Sequence, residues 1–314
     1  MLALGVKDGR VMLVDEATGE EKWAVRAHRS YARAAISPGG RFVVSVGYDD
    51  QWKLWDVESG EVNMVEAMHD GTGACICEKN DLGKMFFQAA CPVVAHNCAS
   101  SGYEYPGYEY PGILVLALSL CGQRFATGGK DGAVILWDAQ TGRAERGMQV
   151  DGHVTCLSFS ADGVRLACGN LYWPWSIRVW DVATGALLRM IPDALNGSVS
   201  WANFSPLSSS ILAIGGHSRP DDPVQVLNVD SGEKILTFQG RNFAEFSPDG
   251  RTIATARDTI PGIEGAVHVW GARKVVLVDA QSGKVRREMF GHLFRVTTVR
   301  FSVNPQPSTL NPKP

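Results

Sequence analysis

The sequence predicts an all-β protein, a seven-bladed β-propeller of four-stranded blades, and three observations carry that reading. The first is a phrase that recurs down the chain: KLWDVESGE (53–61), ILWDAQTGR (135–143) and RVWDVATGA (178–186), with weaker copies MLVDEATGE (12–20), QVLNVDSGE (225–233) and VLVDAQSGK (276–284). The second is a strand–turn–strand unit ahead of most copies, as in ISPGGRFVVSVG (36–47), FSADGVRLACGN (159–170), FSPLSSSILAIGG (204–216) and FSPDGRTIATAR (246–257). Their turns are built of Gly, Asp and Pro, their strands of β-branched or small apolar residues. The third is the period, near forty residues, which is that of a blade whose four short strands cannot bury both faces without neighbours.

Counting back five residues from the Gly of each phrase places a marker at Val14, Trp55, Trp137, Trp180, Leu227 and Val278. The step from Val14 to Trp55 is 41 residues and the next is 82, twice as long, so the spacing places a degenerate blade over about 67–112. Its marker falls at His96 and Asn97 in PVVAHNCASSG (92–102), and EKNDLGKMFFQAAC (78–91) offers the turn and strand required there. At the C-terminal end GHLFRVTTVRFS (291–302) reads as the start of a blade, with His292 ahead of an innermost strand. LALG (2–5), the Asp8-Gly9 turn and VMLVD (11–15) supply the rest, so the C-terminal strand pairs with the N-terminal ones, His292 comes near Asp8, and the ring closes. The propeller then occupies 1–302, and the Pro-rich stretch 303–314 is an unstructured tail. The competing reading is an incomplete propeller fragment of a longer scaffold protein, with an open or strained ring.

Composition narrows the classes. Apolar residues are 45% and charged residues 20%, as in an ordinary globular protein, and a formal charge of −3 gives no basic excess for nucleic acid. The longest apolar run, ILVLALSLC (113–121), is about half of a membrane span, and the N-terminus has no signal-peptide core. Seven cysteines without paired spacings fit a reducing compartment, so the expected location is the cytoplasm, with the nucleus as the alternative. Cys75, Cys77, Cys91 and Cys98, with His69 and His96, invite a zinc reading, but no Cys-x-x-Cys pair is present and buried thiols are the default. No metal and no cofactor are expected.

The order His, paired strands, Asp, then Trp-Asp resembles the WD-repeat β-propeller family. The resemblance covers about 1–302, is most specific around Trp55, Trp137 and Trp180, and is weakest across 67–112. It implies that His28, Ser45, Asp49 and Trp55 form a structural side-chain network inside one blade. Thr127, Asp131 and Trp137 keep part of that set without a His, and His153 with Trp180 another part, with Pro174 where the Asp belongs. It also implies a non-catalytic platform for other proteins or peptides within a multiprotein complex, and connections from strand two to three and from blade to blade that share one face.

Three consecutive repeats lengthen the former connection: LYWPWS (171–176), HSRPDDP (217–223) and DTIPGIEGAVHVWGARK (258–274). Tyr172, Trp173 and Trp175 are the sharpest partner-binding candidates, the alternative being that the indoles fold down as a local cap. Arg29, Tyr31, Phe294 and Arg295, in inter-blade connections of the same face, rank next. The tandem GYEYPGYEYPG (102–112) reads either as an exposed tyrosine strip or as a slipped loop. No nucleophile elbow, paired His or phosphate loop occurs. The enzyme-class rival is a quinone-dependent propeller oxidoreductase, because DEATGEEKW (15–23) is similar to its Trp-docking phrase; DAQTGRAER and DAQSGKVRR lack the Trp.

Overall fold

Every regular element among the described residues is a β-strand. The computed structural model describes residues 1–47, 49, 51–67, 113–171, 175–195, 197–216, 223–239, 241–257 and 274–289. The first sheet has three strands, β1 (Leu2–Gly5), β2 (Arg10–Val14) and β3 (Glu21–Arg26). The second holds β4 (Ala32–Ile36), β5 (Phe42–Gly47), β6 (Gln51–Asp56) and β7 (Val62–Ala67). The third holds β8 (Ile113–Leu118), β9 (Arg124–Gly129), β10 (Ala133–Asp138) and β11 (Ala144–Gln149). The fourth holds β12 (Val154–Phe159), β13 (Arg165–Asn170), β14 (Ser176–Asp181) and β15 (Leu187–Pro192). The fifth holds β16 (Trp201–Ser205), β17 (Ser208–Gly215), β18 (Pro223–Asn228) and β19 (Lys234–Gln239). The sixth holds β20 (Arg241–Phe246), β21 (Thr252–Arg257), β22 (Lys274–Asp279) and β23 (Val285–Met289). Within each sheet the strands are antiparallel and follow chain order.

The recurring phrase is the turn that leads into the last strand of each sheet. Its Asp15, Asp56, Asp138, Asp181, Asn228 or Asp279 accepts hydrogen bonds from backbone N–H groups two or three residues on, which sets the bend. The Gly that follows, at 19, 60, 142, 185, 232 and 283, has φ between 69° and 78°, a backbone that a Cβ would strain. At the marker itself the pairing with the last strand slips by one residue in all six sheets, between Leu13 and Val14, Leu54 and Trp55, Leu136 and Trp137, Val179 and Trp180, Val226 and Leu227, and Leu277 and Val278. The six markers are therefore one structural position repeated, set by a bulge and a turn.

Apolar side chains fill the joints between successive sheets, first to sixth. A side chain of each outermost strand also lies over the turn Gly of the next sheet: Trp23 on Gly60, Met64 on Gly142, Arg146 on Gly185, Arg189 on Gly232 and Leu236 on Gly283.

The second joint corrects the expected blade count between Trp55 and Trp137. Trp52 of the second sheet meets Phe125 of the third at 4.9 Å between ring centroids and Trp137 at 5.3 Å, and Val44, Val46 and Leu54 share a cluster with Ile135 and Ala139. Two sheets in such contact leave no room for a four-stranded sheet between them, so the 82-residue step spans one joint. The described residues hold six sheets. The expected markers His96 and Asn97, the cysteines from Cys75 to Cys98, the tyrosine tandem and the closing strand with His292 lie outside the described residues. Asp8, the expected neighbour of His292, is exposed and bonded to Arg10 through its backbone N–H at 3.1 Å and its Nε at 2.7 Å.

Candidate interaction face

Strand order fixes two kinds of connection. Those from first to second and from third to fourth strand of the four-stranded sheets, and from β2 to β3 in the three-stranded one, run two to six residues and turn at one face of the disc. Those from second to third strand, from β1 to β2, and from sheet to sheet turn at the other. Backbone hydrogen bonds tie the latter together: Gly9 O accepts from Ala27 and His28, Gly132 O from Val150, and His153 O from Leu171. The strand ends that bound residues 172–174, 217–222, 258–273 and 68–112 lie at this second face.

Beneath that face the second sheet brings His28, Ser45, Asp49 and Trp55 into one chain of bonds. The Trp55 indole N–H donates to Ser45 Oγ at 2.9 Å, Ser45 Oγ lies 2.8 Å from His28 Nε2, and His28 Nδ1 lies 2.8 Å from Asp49 Oδ1. The directions close if Ser45 donates to Nε2 and Nδ1 carries the ring proton. Burial works against the Asp49 charge, but the hydrogen bonds from His28 and the Arg29 N–H outweigh it and hold the carboxyl below its ordinary value. Ser–His–Asp at such distances has the wiring of a hydrolase relay. Here Ser45 is fully buried and its oxygen already receives the Trp55 N–H, so no substrate reaches it and the relay fastens strands. Lys53 reaches from β6 to the Ala27 carbonyl, and burial lowers its pKa against the pull of Asp49.

Other sheets change the chemistry at the same stations. In the third, Trp137 donates to Thr127 Oγ1 at 2.9 Å, and Asp131 receives the Ala133 N–H at 3.0 Å within its own turn. In the fourth, Cys168 stands where Ser45 and Thr127 do, opposite Arg178 by register as they are opposite Lys53 and Ile135. Burial pushes Cys156 up to about 12 and Cys168 well above its ordinary value, so both are inert thiols. Asn170 takes over the fastening: its amide donates to Asp151 O at 2.7 Å and its oxygen receives the Ser176 N–H at 2.8 Å. Arg178, at the station of Lys53, pairs with Asp151. His153 is half-buried, its pKa lowered by burial and then by Lys130, against Asp131. Sequence reasoning missed Asn170, Asp151 and Arg178, whose only signal was the absence of the Asp that the other repeats carry.

Of the surface candidates, Trp175 is half-buried and its indole N–H donates to the Leu171 carbonyl at 2.9 Å, closing its own loop. Arg29 is exposed, with its backbone N–H 3.3 Å from Asp49 Oδ2, and Tyr31 is half-buried. Tyr172, Trp173, Phe294 and Arg295 lie outside the described residues. Among the described residues no group of three or more His, Cys, Asp or Glu is placed to hold a metal ion, and no helix is long and apolar enough to cross a membrane.

An all-β chain of consecutive antiparallel sheets, with a bulge and Asx turn at each marker, defines a repeat protein of the propeller class. Residues 19–56, 100–138 and 145–181 match the family described as WD domain, G-beta repeat. It is similar to Protein tipD of Dictyostelium discoideum, 23% identical over 288 residues, which cover 87% of this chain and 38% of that protein. Nuclear distribution protein PAC1 of Arthroderma otae is 24% identical over 211 residues, 66% of this chain and 41% of that protein. APC/C activator protein CDC20 of Saccharomyces cerevisiae is 24% identical over 235 residues, 68% of this chain and 37% of that protein. The chain spans about two fifths of the length of these curated relatives. WD-repeat proteins serve in general as non-catalytic platforms for other proteins, and none of these three bears the name of an enzyme.

Proposed function

We propose that the chain is a protein-interaction scaffold of the cytoplasm that holds its partners on the face of long connections. One observation carries this reading: the connections between described strands that exceed eight residues leave from that face, while among the described residues the opposite face has turns of two to six residues. A rigid stack of sheets presenting long loops suits peptide or protein capture, and the exposed Arg29 and half-buried Trp175 are of the residue types that anchor interfaces. The relatives lend support, since the printed name of CDC20 makes it an activator of another assembly. Buried free thiols at Cys156 and Cys168 accord with a reducing compartment.

The test is affinity capture from cell extract with the wild type and with Trp173→Ala plus Trp175→Ala. Loss of specific partners with an unchanged melting curve is expected. An identical partner set in both would refute the assignment of these two residues.

A further inference from the structure

Among the described residues five buried side-chain polar atoms have no hydrogen-bond partner: Trp52 Nε1, Ser176 Oγ, Arg178 Nη1, Trp201 Nε1 and Gln225 Oε1. Trp52 lies in the second joint, and Trp201 and Gln225 face opposite sides of the fifth sheet. Only Ser176 and Arg178 share a place. They stand two residues apart on β14, so both face the third sheet on the side of Trp180, and they are 2% and 8% exposed. One is a hydroxyl and the other a guanidinium, which keeps its charge at any pH a fold survives. An unmade bond costs most at a buried charged donor, so this one calls for a physical cause.

The second sheet shows how the chain answers a cation at this station. Lys53 donates to the Ala27 carbonyl and feels the charge of Asp49, which comes from the connection between second and third strands. Asp49 stands six residues ahead of Trp55 and Asp131 six ahead of Trp137, whereas Pro174 holds that place ahead of Trp180. The fourth sheet thus keeps a cation and lacks the carboxylate. Asp151 meets Arg178 from the neighbouring connection through Nη2, but its side chain is 67% exposed against 10% for Arg178, and it leaves Nη1 unanswered. A carboxylate so far in water is a weak counterion. Asn170 holds the surroundings in place, donating to Asp151 O at 2.7 Å and receiving the Ser176 N–H at 2.8 Å. We propose that Arg178 Nη1 and Ser176 Oγ form an anion site in the third joint, beneath the face of long connections. It takes a carboxylate or a small inorganic oxyanion in the role that Asp49 plays in the second sheet. Arg suits this task because its planar fork matches the paired oxygens of such groups. The anion comes either free from solution or on the side chain of a bound peptide, and both offer the same chemistry. The site is independent of the scaffold reading, which is tested by the loss of partners.

The test follows melting of the full 314-residue chain against sodium phosphate and, separately, against an end-blocked Gly-Glu-Gly tripeptide, at constant ionic strength. A saturable rise in melting temperature is expected, because a ligand held only by the folded state stabilises it by mass action. Saturation by phosphate alone assigns the site to a free oxyanion, and tighter saturation by the tripeptide assigns it to a peptide carboxylate. The matching Gly-Gln-Gly tripeptide should have no effect. Ser176→Ala removes one donor and no charge, and should weaken binding about tenfold. Arg178→Lys loses the fork and should weaken it at least as much. Asp151→Asn removes the competing carboxylate and should tighten it. A rise that never saturates, or one equal in the wild type and Ser176→Ala, is a general salt effect and overturns the proposal. If Arg178→Lys fails to fold, Ser176→Ala and Asp151→Asn still decide, since unchanged affinity in both overturns it too.

Discussion

In the second sheet the marker is Trp55, bonded through Ser45 and His28 to Asp49, whereas in the fifth Leu227 stands at that position, paired with Leu212, and Ile214 holds the station of Ser45. Both markers are buried, both sit on a bulge, and both precede a turn closed by an Asx side chain and a Gly in left-handed backbone. The polar chain is thus an addition to the blade. Once an indole enters the core its N–H needs a partner, Ser45 answers it, and the remaining lone pair and proton of Ser45 call for His28. In the fifth sheet, where the indole is absent, so is the hydroxyl, whereas the sixth keeps Thr255 at that station although its marker is Val278.

Three measurements can break or sharpen this contrast. Trp55→Ala should be the most damaging, costing about 3–5 kcal/mol in denaturant unfolding because a fully buried indole is replaced by a cavity. Ser45→Ala should cost about 1–3 kcal/mol in the same assay, since it strands the Trp55 N–H and His28 Nε2, and much of that cost should vanish in a Trp55→Phe background. A cost independent of the residue at 55 would show that the polar chain is not one unit. The smallest effect concerns acid. The Asp49 pKa is lowered in the folded protein, so its contribution is fully present above the ordinary carboxylate value, about pH 4, and is lost as pH falls through the lowered one. Asp49→Asn should therefore reduce stability near neutral pH and flatten the acid limb of the stability curve; an unchanged limb would mean that the Asp49 charge is not coupled to folding.

Much of this was legible in the chain. The Asp-x-x-Ser/Thr-Gly phrase betrays the turn because each of its residues has one physical task, and the markers follow by counting from Gly60, Gly142 or Gly185. The doubled step between Trp55 and Trp137 could not tell that the second and third sheets pack directly on one another, because spacing alone carries no information on which sheets touch. A clue was present in Trp52. It is the one aromatic at a position held by Val11, Val134, Ile177, Val224 and Val275 in the other sheets, and a fully buried ring of that size asks for aromatic neighbours, which Phe125 and Trp137 provide. The fourth-sheet fastening through Asn170 and Arg178 was invisible because it follows no period: it replaces a missing Asp with whatever donors lay within reach. Trp175 illustrates the limit of reading loops, for only geometry could tell that its N–H is spent on its own turn.

The unequal faces of the disc bear on how such a chain can diversify. Connections on the face with long loops start and finish on strands locked to one another, so doubling the length of a loop costs only about 0.6 kcal/mol of closure entropy. A graft into 217–222 would thus be tolerated far better than one into 56–61, where the Asp56 side chain and Gly60 backbone fix every residue of the bend. New specificities can be spliced into one side while the other keeps the geometry of the sheets.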